Sequence, residues 1–557
     1  MKRILCIGIV LLMVLSSAGC GTELPSVDAN PAEPSGTFTS EEIEADVTGE
    51  DAVEEPVAEQ VETDEFGRPV AGWDESYLSY VGGRIEEIRN AESDYSVAGT
   101  VYYVSNSGND DADGCSPETA WATLNAINGN YHNFQPGDTI LFERGGIWRG
   151  HVACADGVTV SAYGEGEKPR IYGSLDNGAD PGKWELWYEQ EDVKIWKYYR
   201  LTNDCGNIVL NDGEACAYRV YSYWTGEKAV VCSNLNREFD MVEALQYDLQ
   251  FYNDYPLDIA YKSLPFYSVD EDMSGMLYLR CDEGNPGEVF DSIEFQEMDE
   301  VRGYGAIVQA GEGNVVVDNL CIMYSNTMGI SGLNENSIVQ NCEIAYVGGT
   351  SLIIGHDAKD PVPVAGEGIR LEGNHNQAVN NYVHDCFDGG ITVETSGQET
   401  FGDILISGNV VERCMTGILV GVHTEDVNTF MLGDMEISDN DILYSGYGWS
   451  CDEHYSFTWE RDDYIGNAIS FWNEDFSHQK LEITDNRLYA SRVSLVQFGI
   501  TDPAVFSGNM YAQGFGGAVV AIWDRGNLTY HRAASDEKAA SLAKELLNDT
   551  GAYFDVR

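Results

Sequence analysis

Positive charge is scarce in this chain: 31 Lys and Arg stand against 93 Asp and Glu over 557 residues, a formal net charge of −62. A field of that sign repels nucleic acid and anionic membrane surfaces, so neither is expected as a partner. It also repels polyanionic glycans unless cations intervene. Lysine is rarest in the second half, where residues 301–531 contain only Lys359 and Lys480. No C-x-x-C pair occurs among the 13 cysteines, which argues against a structural zinc site. The one strongly apolar run, ILCIGIVLLMVL near the start, is too short for a comfortable transmembrane helix. Residues 319–509 also lack any helix-length amphipathic segment, which turns the reading toward an all-β architecture.

What is present begins with a targeting signal. Lys2 and Arg3 precede that apolar run, and the small residues SSAG follow it before Cys20. The ending SSAGC resembles a bacterial lipoprotein signal. It implies residues 1–20 as the signal peptide, a lipid on Cys20, and an exported protein at the extracytoplasmic face of the membrane or the cell surface. Ser17 stands where such signals most often carry leucine. Residues 21–67 hold 15 Asp or Glu and no Lys or Arg, with several prolines. That composition cannot bury enough apolar surface to offset ordering, so 21–70 reads as a disordered acidic tether.

One phrase recurs seven times further on: VVVDNLCI, SIVQNCEI, QAVNNYVH, LISGNVVE, EISDNDIL, EITDNRLY and AVFSGNMY. The shared asparagines are Asn319, Asn341, Asn381, Asn409, Asn440, Asn486 and Asn509. Each copy pairs a short β-branched run and a turn with a second run such as GIRLEG, GGITVET or GILVGV. Self-similarity at this spacing predicts a parallel β-solenoid in which equivalent residues stack into ladders. Asparagine suits a ladder because its amide donates to one neighbouring coil and accepts from the other. It also tolerates the left-handed backbone of a sharp turn. Cys321, Cys342, Cys386 and Cys414 lie inside these phrases and read as small apolar fillers, so free buried thiols are expected rather than a disulfide framework.

The first coils precede the repeats. Residues 72–92 predict a short helix. TVYYVSNSGNDDADGCSPETAWATLNAIN then reads as a strand, a turn-rich loop and a helix beginning near Pro117. FQPGDTILFERGGIWRGHV and VTVSAYGEGEKPRIYG follow as strands with Gly-rich turns. The motif YYVSNSGNDD…PETAW…FQPGDTILF resembles the opening of right-handed parallel β-helix proteins of the pectate-lyase-like superfamily, especially bacterial carbohydrate-active members. The resemblance implies that 71–174 form an N-terminal cap and first coils, with the helix closing the open end, and that 301–531 form the main coils. Between them, 175–300 break the pattern with Tyr- and Trp-rich strand runs and read as an inserted β-rich subdomain. Residues 532–557 read as a capping helix and tail, with Asn548 or Gly551 near the helix stop. The fold expected is all-β: a right-handed parallel β-helix with an inserted subdomain and short capping helices.

Alternation fixes a register on four runs, 368–374, 390–396, 417–423 and 468–474, with Ile369, Leu371, Ile391, Val393, Ile418, Val420, Ile469 and Phe471 pointing inward. The outward columns are Arg370/Thr392/Leu419/Ser470, Glu372/Glu394/Gly421/Trp472 and Asn374/Ser396/His423/Glu474. Adjacent coils lie ~4.8 Å apart, so Glu372 and Glu394 are expected near the ~5–5.5 Å separation of a retaining glycosidase. Glu394 and Glu474 are expected at ~10 Å, slightly beyond the ~6.5–9.5 Å of an inverting pair. The candidate catalytic residues are therefore Glu372, Glu394, Glu474 and His423, the last orienting a carboxylate. Arg370 could steady a substrate oxygen and Trp472 could stack on a ring. Asp388 and His384, in the turn HDCFDGG, stand second. Asp452, Glu453 and His454 could belong to a groove wall.

These residues point to a glycoside hydrolase acting on a neutral or weakly charged polysaccharide or oligosaccharide, working as a monomer. A lyase acting on uronate-containing glycans is the alternative, with Ca²⁺ to offset charge and Arg370 as base. A non-catalytic glycan-binding β-helix is the third. No cofactor is required by the leading reading, Ca²⁺ stays open, and the sequence names no metal ligands.

Overall fold

The computed structural model describes residues 75–549 and 553–556 apart from 94, 199–203, 225–228, 232–233, 239, 254–275, 298–305, 312, 354–360, 364–365, 397–399, 424–430, 453–465, 473–476, 500–503, 515–516, 525–526 and 534. The signal peptide, Cys20 and the acidic tether lie outside the described residues, as do Glu474, Glu453 and His454. The strands of His423 and Trp472 are described and their side chains are not.

Among the described residues, three ten-stranded sheets run the length of the molecule. Sheet A begins at Val101–Val104 and ends at Val505–Ser507; sheet B runs from Ile147–Arg149 to Tyr553–Val556; sheet C runs from Val152–Ala153 to Asn527–Arg532. Each coil contributes one strand to A, one to B and one to C, and every neighbouring pair is parallel except the last in C, where Asn527–Arg532 turns back antiparallel. Parallel strands joined by crossovers of one hand give a right-handed parallel β-helix. Its interior is one continuous apolar core to which each coil adds residues such as Ile369, Leu371, Ile391, Val393, Ile418, Val420, Ile469 and Phe471. All eight are at most 1% exposed, so alternation read the buried face of sheet C correctly.

The ladder lies at the corner from A to B. The Asn381 amide donates to Asn409 Oδ1 at 3.0 Å, Asn409 to Asn440 at 2.9 Å, Asn440 to Asn486 at 2.9 Å and Asn486 to Asn509 at 3.0 Å. Asn509 hands the chain to the C-terminal cap, where Asp549 Oδ2 accepts at 2.9 Å. Asn319 and Asn341 are not members. Asp318 pairs with Gln340 and Gln340 with Val379, so Asn341 stands in register with Asn380, and the ladder site of its coil is Cys342. The Cys342 N–H donates to Asn381 Oδ1 at 3.0 Å, which starts the ladder there. The left-handed turn also sits one residue earlier than expected. Asn319, Asn341, Asn380, Asp439 and Asp485 have φ between 54° and 61°, while the ladder asparagines do not have positive φ. Turn and ladder are thus two adjacent jobs, and asparagine can do either.

Asn440 shows what each rung holds. Its side chain also donates to the Ile406 carbonyl at 2.9 Å and accepts from the Asn409 backbone N–H at 3.0 Å, all fully buried. Asn440→Ala orphans these groups and should cost about 3 kcal/mol. Chemical denaturation measures it, and an unchanged midpoint would show that the ladder is dispensable.

Short elements close and brace the solenoid. A 3₁₀ turn at Pro117–Thr119 leads to the helix Leu124–Gly129, which buries Leu124, Ala126 and Ile127 against the first coils. The helix therefore starts seven residues after Pro117. At the other end Asp536–Leu542 and Ala543–Leu547 bury Ala539, Ala543 and Leu547, and Asn548 at φ 55° stops the helix. The helix Glu75–Arg89 instead lies across the outer face of sheet B, packing Tyr77, Val81 and Ile88 on Tyr382, Val410 and Tyr489. Within the 175–300 segment, a seven-stranded sheet from Trp184–Gln190 to Ile293–Phe295 leaves and rejoins the coils in register. Arg170–Tyr172 pairs directly with Cys321–Met323 across the excursion. Val209, Cys216 and Tyr221 of this segment pack on Tyr324, Tyr346 and Trp449 of the solenoid. The described cysteines are all free thiols, and those inside the repeat phrases are buried.

Candidate functional site

The B-to-C corner is built from glycine. A Cβ on Gly368 would lie 2.5 Å from Val383 Cγ1 and 2.7 Å from the Gly390 carbonyl, and one on Gly417 would lie 2.5 Å from the Ala468 carbonyl. Side chains are therefore shut out of the corner itself, and the chemistry is set on either side of it: Glu367 and Asp388 just before, Arg370, Glu372 and Glu394 just after. The pairing of sheet C is the predicted one, with Arg370 opposite Thr392, Thr392 opposite Leu419 and Leu419 opposite Ser470. Glu394 stands opposite Gly421, which adds no side chain beside it, and Gly421 opposite Trp472. Ser396 stands opposite His423.

Arg370 is the centre of this face. Its Nη2 lies 2.8 Å from Glu394 Oε2, its Nε 3.2 Å from Glu372 Oε1 and its Nη1 3.8 Å from Glu367 Oε1. Glu372 is further held by the Gly332 N–H, which donates to its Oε2 at 2.8 Å. This changes two expectations. Glu372 and Glu394 do not stand as a bare facing pair: a guanidinium lies between their carboxylates. Arg370 in turn is paired with protein carboxylates on three sides.

The electrostatics follow from four carboxyl groups around one cation. Burial pulls Arg370 down, and Glu394, Glu367, Glu372 and Asp388 more than reverse this, so it stays firmly protonated. One guanidinium cannot neutralise four acids, and the surplus charge falls on the residues before the corner. Burial, then Glu367 and Glu394, push the Asp388 carboxyl up to about 8, with Arg370 opposing. Glu367 is raised as well, by burial first and then by Glu394. Asp388 remains partly exposed, so the proton it keeps at neutral pH can be reached from outside. A neutral acid next to an Arg-paired carboxylate is the division of labour that acid–base catalysis requires.

Asp388 thus moves from the second rank to the centre of the site, and Glu367 was missed altogether. The signal for Glu367 was its place three residues before Arg370, but the aligned window opened at Gly368, one position too late. His384 goes elsewhere. It lies on sheet B, buried, with Nδ1 2.7 Å from Asp385 and its ring stacked on Tyr382 at 4.2 Å. Asp452 is half-buried and lies near Cys451 and Cys216. Among the described residues no group of three or more His, Cys, Asp or Glu side chains is arranged to hold a metal ion, and the cation amid these carboxylates is Arg370 itself.

Residues 291–487 match the model of a family described as a protein of unknown function (DUF1565). A stretch of 102 residues is 34% identical to lacto-N-biosidase of Bifidobacterium longum subsp. longum, covering 16% of this chain and 6% of that protein's length. Among solved structures, XylC in complex with xylose superposes at a TM-score of 0.41 with 14% identity, over 76% of this chain and 68% of the other. The lacto-N-biosidase of Eubacterium ramulus superposes at 0.34 with 13% identity, over 82% and 68%. The pectate lyase Pel9A superposes at 0.36 with 10% identity, over 79% and 83%.

Proposed function

We propose that this protein is a glycoside hydrolase whose reaction centre is the Arg370 face, with Asp388 as general acid and Glu394 as the ionised partner. The observation that carries the reading is the Asp388 carboxyl, protonated to about pH 8 while Glu394 is ion-paired to Arg370 at 2.8 Å. Asp388 would give its proton to the leaving glycosidic oxygen. Glu394 would either attack the anomeric carbon or take a proton from the attacking water. Burial, and then the like charges of Glu367 and Glu394, keep Asp388 protonated, and Arg370 fixes Glu394 and Glu372 in place. The stretch shared with a lacto-N-biosidase supports cleavage of a glycosidic bond, over that short span. The acid-rich face and the net charge of −62 favour a neutral or weakly charged glycan. The lyase alternative loses its base, because Arg370 is held as a cation by its carboxylate neighbours.

The test is a panel of neutral and acidic oligo- and polysaccharides, read both for new reducing ends and for the ultraviolet absorbance of an unsaturated product. Reducing ends without unsaturation are expected, and the anomer released first tells which role Glu394 plays. Unsaturated product would establish a lyase instead. Binding without any cleavage across the panel would establish a glycan-binding protein.

A further inference from the structure

A cavity adjoins the turn 385–388. It lies between the inserted sheet and sheet B, has a volume of about 270 Å³, and is walled by Tyr218, Tyr346, Tyr447 and Trp449 and floored by Asp385 and Arg413. We propose that this cavity is a binding subsite for a single neutral pyranose ring. The choice of a sugar rests on the hydrolase reading; the size and chemistry of the cavity stand apart from it.

Size sets the first limit. The volume falls just below the ~300–1,000 Å³ of pockets that take drug-sized ligands, so the cavity accepts one ring and not a chain of them. The walls set the second. Four of the residues lining the cavity are aromatic, the type of side chain on which the C–H face of a pyranose packs. They are held firmly. Trp449 Nε1 donates to the Asp385 carbonyl at 2.9 Å, and its ring packs on Phe387. Tyr346 stacks on Tyr324 with ring centroids 5.8 Å apart. Gly213, also at the cavity, has φ 101°, and a Cβ there would lie 2.0 Å from Tyr346 Oη, so the backbone of the inserted sheet is brought directly against that hydroxyl.

The floor offers polar groups in a plane. Arg413 Nε and Nη2 donate to the two oxygens of Asp385 at 3.0 and 2.8 Å, and Nη1 donates to Glu412. A guanidinium has five N–H donors, so two are left over from these bonds and point away from the pair. A vicinal diol meets such a paired donor and acceptor edge well. Charge sets the last limit. Behind the floor, Asp385 pairs with His384, and His384 and Arg89 with Glu343. Asp452 also acts on the lining Cys216, and Arg492 on the lining Tyr447. Arg413, His384, Arg89 and Arg492 thus face Asp385, Glu412, Glu343 and Asp452, so positive charge is not in excess around the cavity and a uronate or a phosphate gains no advantage there.

The test uses the full chain with D-glucose, D-galactose, D-xylose, L-fucose and N-acetyl-D-glucosamine, and D-glucuronate as the charged comparator. Tryptophan fluorescence reports on Trp449, and saturation-transfer NMR reports on the sugar. At least one neutral sugar should saturate the protein at millimolar concentration. Tyr447→Ala and Tyr218→Ala, both at half-exposed positions, should each weaken it about tenfold. Asp388→Asn should leave this affinity within about twofold while slowing hydrolysis of natural glycans at least about 100-fold, which keeps the two proposals apart. The subsite is overturned if no neutral sugar saturates, if both tyrosine variants bind as the native protein does, or if D-glucuronate binds more tightly than D-glucose. A fully active Asp388→Asn protein would overturn the hydrolase reading and leave the subsite standing.

Discussion

Asp388→Asn should lower kcat on natural glycans about 10²–10⁴-fold, the contribution a positioned general acid makes. The loss should be much smaller on aryl glycosides with acidic leaving groups, which depart without protonation. In the native protein, activity should fall as pH rises through about 8, where Asp388 loses its proton, and that alkaline limb should vanish in the variant. A variant that kept both natural-substrate activity and the limb would assign the proton to another group, Glu367 first. The same shift makes a stability prediction. A carboxyl whose folded pKa is raised from 3.8 to about 8 favours the folded state below its ordinary value and loses that contribution as pH rises between the two. Asp388→Asn has no such loss, so its melting temperature relative to the native protein should climb across that interval and level off above it. A difference that is flat with pH would contradict the raised value.

Arg370→Met should be the most damaging single change on this face. It removes the partner of Glu394 at 2.8 Å, Glu372 at 3.2 Å and Glu367 at 3.8 Å, leaving like charges packed together beside the core. Breaking a buried ion pair from one side costs ~3–5 kcal/mol. Arg370 and Glu372 retain some exposure here, so about 3 kcal/mol is the expected figure. The sign of the pH response is distinctive. Without Arg370 the carboxyls bind protons more tightly in the folded protein, so the variant should regain stability as pH falls and they neutralise. Denaturant titrations at acidic and neutral pH measure this. A deficit that did not shrink on acidification would mean that Arg370 acts by packing alone. Arg370→Lys should recover part of the stability, since a point charge replaces the charge but not the planar fork that spans three carboxylates.

How much of this was legible follows from what alternation can encode. The period of two in GIRLEGN, GITVETS and GILVGVH gave the register of sheet C from Ile369 to Leu371 and along GITVETS and GILVGVH, because an apolar core penalises any slip by turning every side chain over. The asparagine ladder was legible over five coils and misread in the first two. Asn319 and Asn341 share the phrase but occupy the left-handed turn position, one residue ahead. Letters alone do not separate a turn asparagine from a ladder asparagine, since the same amide serves both.

The chain by itself thus determined the solenoid, its repeat, its buried face and the acid-rich surface of sheet C, because these depend on periodicity and composition. Tertiary structure decided which acids meet. Glu367 and Asp388 precede the corner and Arg370 and Glu394 follow it, so only the glycine-lined bend brings them around one guanidinium. It also decided which of them keeps a proton: a carboxyl's pKa answers to burial and to the charges beside it, and neither is written in the order of residues.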